Sequence, residues 1–353
     1  MSNFMTGKIA FASGKTGDYD IWTLDLASRE MQQLTYGADW NDKPKWSPDG
    51  QWIAFVSHRS GFAEIFKVPA AGGDLTQLTQ LNRWATSPAF SPDGTRIAFI
   101  SNESGNNDIW IMDVEGNQRT QITRHEGSDS HVEWTTDGRG LLWSSDRADG
   151  DADVWHIDLD SHEKTQLNSE HGADITPAAS PDGRWIAFCS DRQFTPDPNR
   201  PFADRDKDIW LMAIDGKLPV RLTASQGSDY APCWAPDGKH LLYTASDKRK
   251  ACHLRVMDLS AVLAAYETGD ESAIDDAADA IRAQSVELDR TDLKAEIGAH
   301  RNATFVTGLL PESWVAACYP AQYFGLERNP HWIAAKAAAA AGSDAAQMQP
   351  SAV

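Results

Sequence analysis

Positive charge is scarce in this chain, which carries 32 lysines and arginines against 51 aspartates and glutamates, for a formal net charge of -19. A phosphate backbone is repelled by such a surface unless a local basic patch is present. The nearest candidate is the short run Lys248, Arg249 and Lys250, which is typical of a solvated hairpin tip. We therefore expect no nucleic-acid partner.

Long hydrophobic runs are also absent, since none approaches the roughly 20 residues that a membrane-spanning helix needs. The first residues, MSNFMTGKIAFAS, lack the charged region and apolar run of a secretory signal peptide. The sequence thus predicts a soluble, monomeric protein without membrane insertion. Its expected location is the cytoplasm, or the periplasm or cell exterior if a signal peptide has been removed.

Motifs of metal, redox and nucleophilic chemistry are missing as well. The four cysteines lie far apart without a C-x-x-C spacing, which argues against a zinc site or a dithiol. No G-x-S-x-G occurs, and SGKTG from Ser13 lacks the correctly spaced upstream glycine of a phosphate loop. The sequence therefore favours a non-catalytic protein.

What the chain does contain is one phrase that occurs five times. It reads PKWSPDGQWIAFVS from Pro44, PAFSPDGTRIAFIS from Pro88, VEWTTDGRGLLWSS from Val132, PAASPDGRWIAFCS from Pro177 and PCWAPDGKHLLYTA from Pro232. The aspartate of the turn recurs at positions 49, 93, 137, 182 and 237, so the separations are 44, 44, 45 and 55 residues. A period in the forties with several strands per unit is typical of β-propeller blades.

Each repeat predicts four short strands. The first strand precedes the Pro-Asp-Gly turn, in which proline fixes φ and glycine permits the reversal. Segments such as WIAFVS, DIWIMDV and TQLT predict the second, third and fourth strands. A large ring recurs at one third-strand position and indicates packing between neighbouring sheets. Its members are Trp22, Phe66, Trp110, Trp155 and Trp210.

The number of blades follows from how the ring must close. Residues 8–35 supply second, third and fourth strands without a first strand. An open sheet edge would invite aggregation, so the C-terminal region should donate the missing strand, with about 302–310 (NATFVTGLL from Asn302) as the candidate. The sequence thus predicts an all-β fold, a six-bladed β-propeller whose repeats span residues 1–258.

A helical and irregular extension is expected over residues 259–341. Apolar residues spaced i, i+3, i+4 and i+7 predict two short amphipathic helices that pack on the ring. They are Leu259, Val262, Leu263 and Tyr266, then Ile274, Ala277, Ala278 and Ile281. The aromatic stretch Leu310–Trp332 should wrap the propeller, an Ala-rich helix is expected over 334–341, and the tail 342–353 should be disordered.

The repeats over residues 8–258 resemble those of the TolB-like six-bladed propellers, the WD-type variety with a Ser-Pro-Asp-Gly turn. This architecture hosts binding scaffolds, peptidase gating domains and lyases. The resemblance is therefore specific for the fold and not for the function. We expect a non-catalytic scaffold in which the channel mouth and its variable loops bind a protein or peptide partner. The insertion QFTPDPNRPFADRDKD from Gln193, in the fifth blade, departs from the repeat.

The loops entering the first strands should open at the mouth of the channel and supply the binding residues. Asp129, Asp174 and Asp229 share one equivalent position, which Asn41 and Ala85 occupy in two other blades. Converging carboxylates can hold a divalent cation such as Ca²⁺ or a cationic partner segment, although each aspartate can also bond its own turn. Further candidates beside them are Trp40, Asp42, Arg83, Trp84, His125, His131, His171 and Tyr230.

Two other metal hypotheses are weaker. Two acidic hairpin tips have the alternating spacing of half a calcium loop but lack its glycine and glutamate, so solvated tips are favoured. They are Asp149, Asp151 and Asp153, and Asp204, Asp206 and Asp208.

A resemblance to the oligogalacturonate lyases implies, as the alternative function, a metal-dependent lyase acting on uronic-acid oligosaccharides. Its metal would be held by His125, His131 and His171, although a negative rim would repel acidic sugars.

Overall fold

The computed structural model of the chain describes residues 7–13, 18–25, 28, 30–37, 40–193, 206–225, 227–246, 252–282, 286–287 and 304–306. The first eleven strands are β1 (Lys8–Ser13), β2 (Asp20–Asp25), β3 (Met31–Gln33), β4 (Asn41–Trp46), β5 (Trp52–Ser57), β6 (Glu64–Pro69), β7 (Thr76–Gln77), β8 (Ala85–Phe90), β9 (Arg96–Ser101), β10 (Asp108–Asp113) and β11 (Thr120–Gln121). The next eleven are β12 (Asp129–Trp134), β13 (Gly140–Ser145), β14 (Asp153–Asp158), β15 (Lys164–Gln166), β16 (Asp174–Ala179), β17 (Trp185–Ser190), β18 (Asp208–Ala213), β19 (Val220–Arg221), β20 (Asp229–Trp234), β21 (His240–Ser246) and β22 (Cys252–Asp258). They are followed by α1 (Ser260–Tyr266), α2 (Glu271–Arg282), β23 (Val286–Glu287) and β24 (Thr304–Val306).

These strands form six four-stranded antiparallel sheets, which confirms the predicted six-bladed β-propeller. Blades 2 to 5 are β4–β7, β8–β11, β12–β15 and β16–β19, and blade 6 is β20–β23. Blade 1 has the order β24-β1-β2-β3. Within each blade the strands are counted here from the central channel outward, so β4, β8, β12, β16 and β20 are first strands.

The ring is closed by the two ends of the described chain. In blade 1, β24 occupies the place of the first strand and pairs with β1, with Phe305 opposite Phe11. Blade 6 takes its fourth strand, β23, from a segment that follows both helices, and β23 pairs with β22. The sequence analysis did not anticipate β23, because two residues outside the repeat carry no strand pattern.

The recurring Pro-Asp-Gly phrase forms the turn between first and second strands. Ser47 Oγ donates to Asp49 Oδ1 at 2.5 Å and accepts from the Trp52 amide at 2.9 Å, so the polar groups of the turn are satisfied locally. Gly50 has φ +67°, a left-handed conformation that glycine adopts at no steric cost. The equivalent glycines of the other four phrases have φ between +64° and +71°.

Hydrophobic packing between blades forms the core. One cluster joins Ala98 and Ile109 of blade 3 to Leu141 and Trp143 of blade 4, and the third-strand ring of Trp155 packs against it. The second strand β13 is buried along its whole length because both of its faces meet neighbouring blades. The sheets therefore shield one another around the axis.

The two helices are confirmed and cover the join between blades 5 and 6. Apolar residues of α1 and α2, including Val262 and Ile274, share one cluster with Trp185 of blade 5 and Trp234 of blade 6. Tyr266 Oη is within hydrogen-bonding distance of two backbone carbonyls of blade 5, and its ring lies 4.6 Å from that of Trp185. Among the described residues, no helix is long and apolar enough to cross a bilayer.

Several expectations lie outside the described residues. They concern residues 194–205, which are most of the insertion in blade 5, and residues 307–353 with the aromatic segment, the Ala-rich helix and the tail. The short basic run 248–250 lies outside them as well.

Candidate binding site

The central channel contains a cavity of about 70 Å³ between the first strands of blades 2 to 6. Each of these strands contributes the same stretch of its sequence, so the cavity is the channel itself at one level. Its lining comprises Lys43, Lys45, Ser87, Pro88, His131, Val132, Glu133, Thr176, Pro177, Ala178, Ala231, Pro232 and Cys233.

A β-bulge interrupts each of the five first strands at this level. The residue inside each bulge has a left-handed φ, and we call these five residues the waist: Lys43 (+50°), Ser87 (+53°), His131 (+56°), Thr176 (+56°) and Ala231 (+50°). This conformation costs a non-glycine residue about 1–2 kcal/mol. Bulges re-aim side chains and are frequent beside functional sites, so five repeated bulges around one cavity mark it as a candidate site.

Charged and hydroxyl groups are concentrated at the waist. Lys43 Nζ donates to Thr86 Oγ1 at 3.0 Å and to Ser87 Oγ at 3.1 Å. Lys45 of blade 2 forms an ion pair with Glu133 of blade 4, which spans the channel.

The other two polar side chains of the waist are uncharged near neutral pH. Burial, assisted by the Lys43 charge, lowers the pKa of His131 to about 3, so its imidazole is neutral. Thr176 Oγ1 lies 2.8 Å from Cys189 Sγ, and burial raises the pKa of that thiol to about 12. Since a thiolate is the reactive form, this raised pKa disfavours the reactive state of Cys189 near neutral pH.

A second cavity of about 90 Å³ lies at the Pro-Asp-Gly end of the channel. Aromatic and proline side chains dominate its lining, which comprises Trp46, Pro48, Phe90, Pro92, Glu133, Trp134, Thr136, Ala178, Ala179, Pro181, Trp234 and Pro236. Trp134 Nε1 donates to the Ala89 carbonyl and Trp234 Nε1 to the Ala178 carbonyl, both at 3.0 Å. These bonds cross from one blade to the preceding blade and hold the rings in place.

The aspartates predicted at the mouth lie between blades. Asp129 is fully buried and accepts from Arg147 Nη2 at 2.6 Å, from Trp143 Nε1 at 3.0 Å and from Thr123 Oγ1 of the preceding blade at 2.5 Å. Asp174 likewise accepts from Arg192 Nη2, at 2.5 Å. Neither residue lines the two cavities. Their charges are balanced inside the ring.

Asn41 occupies the same position in blade 2 and has the same role. It donates to Asp20 Oδ1 of blade 1 at 3.1 Å and accepts from Arg59 at 3.1 Å. The backbone amide at this position donates to the preceding blade in all five cases, with N–O distances of 2.5–2.9 Å for residues 41, 85, 129, 174 and 229. The shared position therefore joins blades through backbone and side chain together.

Blade 6 departs from this arrangement. The arginine that follows Asp129 and Asp174 by 18 residues is replaced after Asp229 by Asp247, which lies outside the described residues. Burial raises the pKa of Asp229 to about 7, with a further rise from the Asp208 charge, while the hydroxyls of Thr223 and Ser225 and the charge of Arg255 lower it. Arg255 stands opposite Tyr243 in the register where other blades place a third-strand aromatic ring.

The remaining candidates at the mouth divide into exposed and enclosed residues. Arg83, Trp84, His125 and His171 are exposed on the loops that enter the first strands of blades 3, 4 and 5, and Trp84 has an exposed fraction of 36%. Trp40 packs on Tyr19 with 4.5 Å between ring centroids. Asp42 is buried and accepts from the Lys43 amide at 2.7 Å, and Tyr230 is half-buried.

The acidic tips do not form a metal site within the described residues. Asp151 lies 3.2 Å from His171 Nδ1, and Asp149 accepts from the Asp151 amide. Burial, followed by the Asp174 charge, raises the pKa of Asp153 to about 7. Asp208 accepts from Arg221 at 2.6 Å, and Asp204 lies outside the described residues.

The three histidines of the lyase hypothesis also stand apart. His125 and His171 are on two surface loops, whereas His131 is in the channel. No group of three or more His, Cys, Asp or Glu in the described part of the chain is arranged to hold a metal ion.

The sequence analysis named His131 but missed the rest of the waist and the pair Lys45 and Glu133. A usable signal was present. Proline follows the bulge residue in four of the five first strands, as in NDKPKW and DYAPCW, and valine follows it in the fifth. Proline cannot donate to the ladder and within a sheet is confined to edges and bulges, so a recurrent inner-strand proline predicts a bulge.

Comparison with known proteins supports the fold. The family model of the TolB β-propeller domain matches residues 5–87 and 76–154. TolB from Acinetobacter baumannii has a TM-score of 0.61 and 22% identity, over 73% of this chain and 62% of that one. An oligogalacturonate lyase in complex with manganese has a TM-score of 0.52 and 17% identity, over 72% and 71%. At such identities the likeness concerns the fold alone.

A curated relative matches a shorter stretch. A protein of Sulfurisphaera tokodaii, named for its likeness to the N-terminal subunit of Tricorn protease, is 42% identical over 45 residues, which are 13% of this chain and 23% of that protein. The matched part is thus less than two thirds of this relative and of the Acinetobacter TolB.

Proposed function

We propose that this TolB-like six-bladed β-propeller is a non-catalytic scaffold that binds a protein or peptide partner at the mouth of its channel. The observation that carries the proposal is the contrast between repeated and variable positions around one entrance. Buried interblade positions recur from blade to blade, whereas the exposed loop position three residues before the first strand is Asn82, Glu126 and His171 in blades 3, 4 and 5. Loops that differ on a repeated scaffold are where recognition is usually placed.

The channel behind this mouth supports the proposal. Its cavity at the waist measures about 70 Å³, and a water molecule occupies roughly 30 Å³ of the liquid. This cavity therefore accepts an individual side chain of a partner rather than a folded domain. The cavity of about 90 Å³ lies at the opposite, Pro-Asp-Gly end of the channel and is not part of this mouth.

The other expectations gain less support. Asp129 and Asp174 already form ion pairs with Arg147 and Arg192, so a preference for cationic partners does not follow from them. The lyase alternative is not favoured, because its histidines stand apart and its structural neighbour is less similar than TolB. A cytoplasmic location and a monomeric state stay predictions from the sequence.

The test begins with peptides selected from a random display library on the immobilised wild-type chain. Their dissociation constants are then measured for wild type, for Arg83→Ala with Trp84→Ala, and for the control Lys217→Ala, which changes an exposed residue paired with Asp215 on an outer hairpin. We expect the double variant to bind at least tenfold more weakly, since exposed tryptophan and arginine are frequent anchors of binding. The control should equal wild type. Peptides that bind both variants equally would contradict the proposal.

A further inference from the structure

Two departures from the repeat coincide at the junction between blades 2 and 3. The third strands of blades 1, 3, 4 and 5 begin with an aspartate, whereas that of blade 2 begins with Glu64. The first strands of blades 2, 4, 5 and 6 begin with asparagine or aspartate, whereas that of blade 3 begins with Ala85. These two positions meet across a junction, since Asn41 Nδ2 donates to Asp20 Oδ1 at 3.1 Å between blades 1 and 2. A longer side chain is therefore matched by a shorter one.

The longer side chain reaches the loop that enters blade 3, residues 78–84, which we call the blade 3 loop. Glu64 is 2% exposed, and its Oε1 accepts from the amides of Leu81 at 2.7 Å and Asn82 at 3.2 Å. Its Oε2 accepts from Thr79 Oγ1 at 2.5 Å. Asn82 has a left-handed φ of +51°, a conformation that asparagine tolerates better than most residues. One buried carboxylate thus binds three residues of a loop at the channel mouth.

The loop that enters blade 4 has the same length but lacks this anchor. Asp108 occupies the position of Glu64 and accepts from three side chains, at 2.6–3.5 Å. The amides equivalent to the two that Glu64 binds belong to His125 and Glu126, and neither has an acceptor within the described part of the chain. The additional methylene of glutamate accounts for the difference.

The end of the blade 3 loop is fixed as well. The Trp84 amide donates to Asn102 Oδ1 at 2.9 Å, and the Asn102 amide donates to the Trp84 carbonyl at 3.3 Å. Arg83 and Trp84 are nevertheless exposed. Tryptophan and arginine are frequent anchors of binding, and a loop that is already ordered loses less entropy when a partner docks. The backbone is therefore held while the two side chains face solvent.

We propose that Glu64 is the positioning residue of the partner site, because it holds the blade 3 loop in the conformation that presents Arg83 and Trp84. The carboxylate does not touch the partner and acts through the loop. The role toward a partner rests on the proposed function, whereas the anchoring of the loop does not.

The anchoring is tested first on the wild-type chain, by amide hydrogen exchange followed with NMR. After correction for intrinsic rates, the amides of Leu81 and Asn82 should exchange at least about tenfold more slowly than those of His125 and Glu126, since hydrogen bonds to a buried carboxylate must open first. The two loops have equal length and belong to the same repeat, so each is the control of the other. Equal exchange in both loops would overturn the proposal.

A shorter acid at position 64 tests the reach of the side chain. Glu64→Asp keeps the charge but removes one methylene, so the amides of Leu81 and Asn82 should exchange about tenfold faster than in wild type. The matched control is Asp108→Asn, which alters a carboxylate that is 1% exposed at the equivalent position of the next blade. The control should leave both rates unchanged. Circular dichroism and the urea midpoint establish that each ring is intact, and unchanged exchange in an intact Glu64→Asp chain would overturn the proposal.

The role in binding is tested with the peptides selected on the wild-type chain. Glu64→Asp should raise their dissociation constants about tenfold, and Asp108→Asn should not. In a Trp84→Ala background, Glu64→Asp should cause little further weakening, because Glu64 acts through the loop. The same weakening in both backgrounds, or faster exchange without any weakening, would overturn the positioning role. Failure of the library selection would reject the proposed function and this role with it, whereas slow exchange of Leu81 and Asn82 would still establish the anchored loop.

Discussion

Replacing Arg147 with methionine tests whether the carboxylates between the blades hold the ring together. Asp129 is fully buried, and its Oδ1 accepts from both Arg147 Nη2 and Trp143 Nε1. The guanidinium also lies 5.2 Å from the rings of Trp143 and Trp155. Methionine keeps much of the aliphatic stem that packs there but leaves a carboxylate in the interior without its cation.

The size of the effect follows from the burial of both partners. The side chain of Arg147 is 8% exposed and that of Asp129 is 0% exposed. Breaking a buried pair by removing one partner costs about 3–5 kcal/mol, because the remaining charge is uncompensated. Two neutral donors, from Trp143 and Thr123, remain on the carboxylate, so we expect a loss near the lower end, about 3 kcal/mol. Adding Asp129→Asn to Arg147→Met also removes the buried charge, so the double variant should regain roughly half of the lost stability.

The assay is urea unfolding near neutral pH, followed by tryptophan fluorescence. The control is Arg139→Met. Arg139 also pairs with an aspartate, Asp160, at 3.0 Å, but both side chains of this pair are exposed, at 67% and 72%. Exposed pairs contribute little, so the control should unfold at the wild-type midpoint. The reasoning is refuted if Arg147→Met shifts the midpoint no more than the control does, or if adding Asp129→Asn makes the chain less stable still.

Three further predictions use the same unfolding assay. Ala231→Gly removes the steric strain of an alanine in the left-handed conformation and should stabilise the fold by up to about 1 kcal/mol. The control Ala89→Gly, in a regular part of β8, should destabilise it by about 1 kcal/mol. Equal effects of the two substitutions would contradict this reasoning. The folded pKa of Asp229, about 7, lies above its unfolded value near 3.9. The protonated carboxyl therefore contributes to the stability of the fold below about pH 4, and this contribution is lost as the pH rises to about 7. Asp229→Asn should consequently raise the urea midpoint at pH 8 and not at pH 4. Tyr266→Phe keeps the ring beside Trp185 but loses the hydroxyl that reaches two carbonyls, so it should cost about 1–3 kcal/mol, and a neutral result would show that those bonds are unimportant.

The blade count was predictable because it depends on periodicity and on the cost of an open edge. The five turns place five first strands, and the unpaired segment from Lys8 requires a sixth. The two helices were predictable for the same reason, since their apolar spacing fits a single buried face. By contrast, β23 has only two residues and lies outside any repeat, so local pattern carries no information about it.

The candidate site was harder to predict, because equivalence along the chain does not say where a side chain points. Asp129 and Asp174 were correctly recognised as equivalent, yet their carboxylates face the neighbouring blade and an arginine 18 residues later. Two residues further along, the bulge reverses the alternation and brings His131 and Thr176 to the channel. Only the geometry of the ladder separates these two outcomes.

The pairing of β24 with β1 sets the order in which the protein can be completed. Roughly 290 residues separate Phe11 from Phe305, and at about 5–20 residues per second some 15–60 s of synthesis elapse before the partner strand emerges from the ribosome. During that interval the apolar edge of Lys8–Ser13 is open to other chains. A chaperone that shields residues 8–13 during synthesis would therefore protect the ring from misassembly at β1.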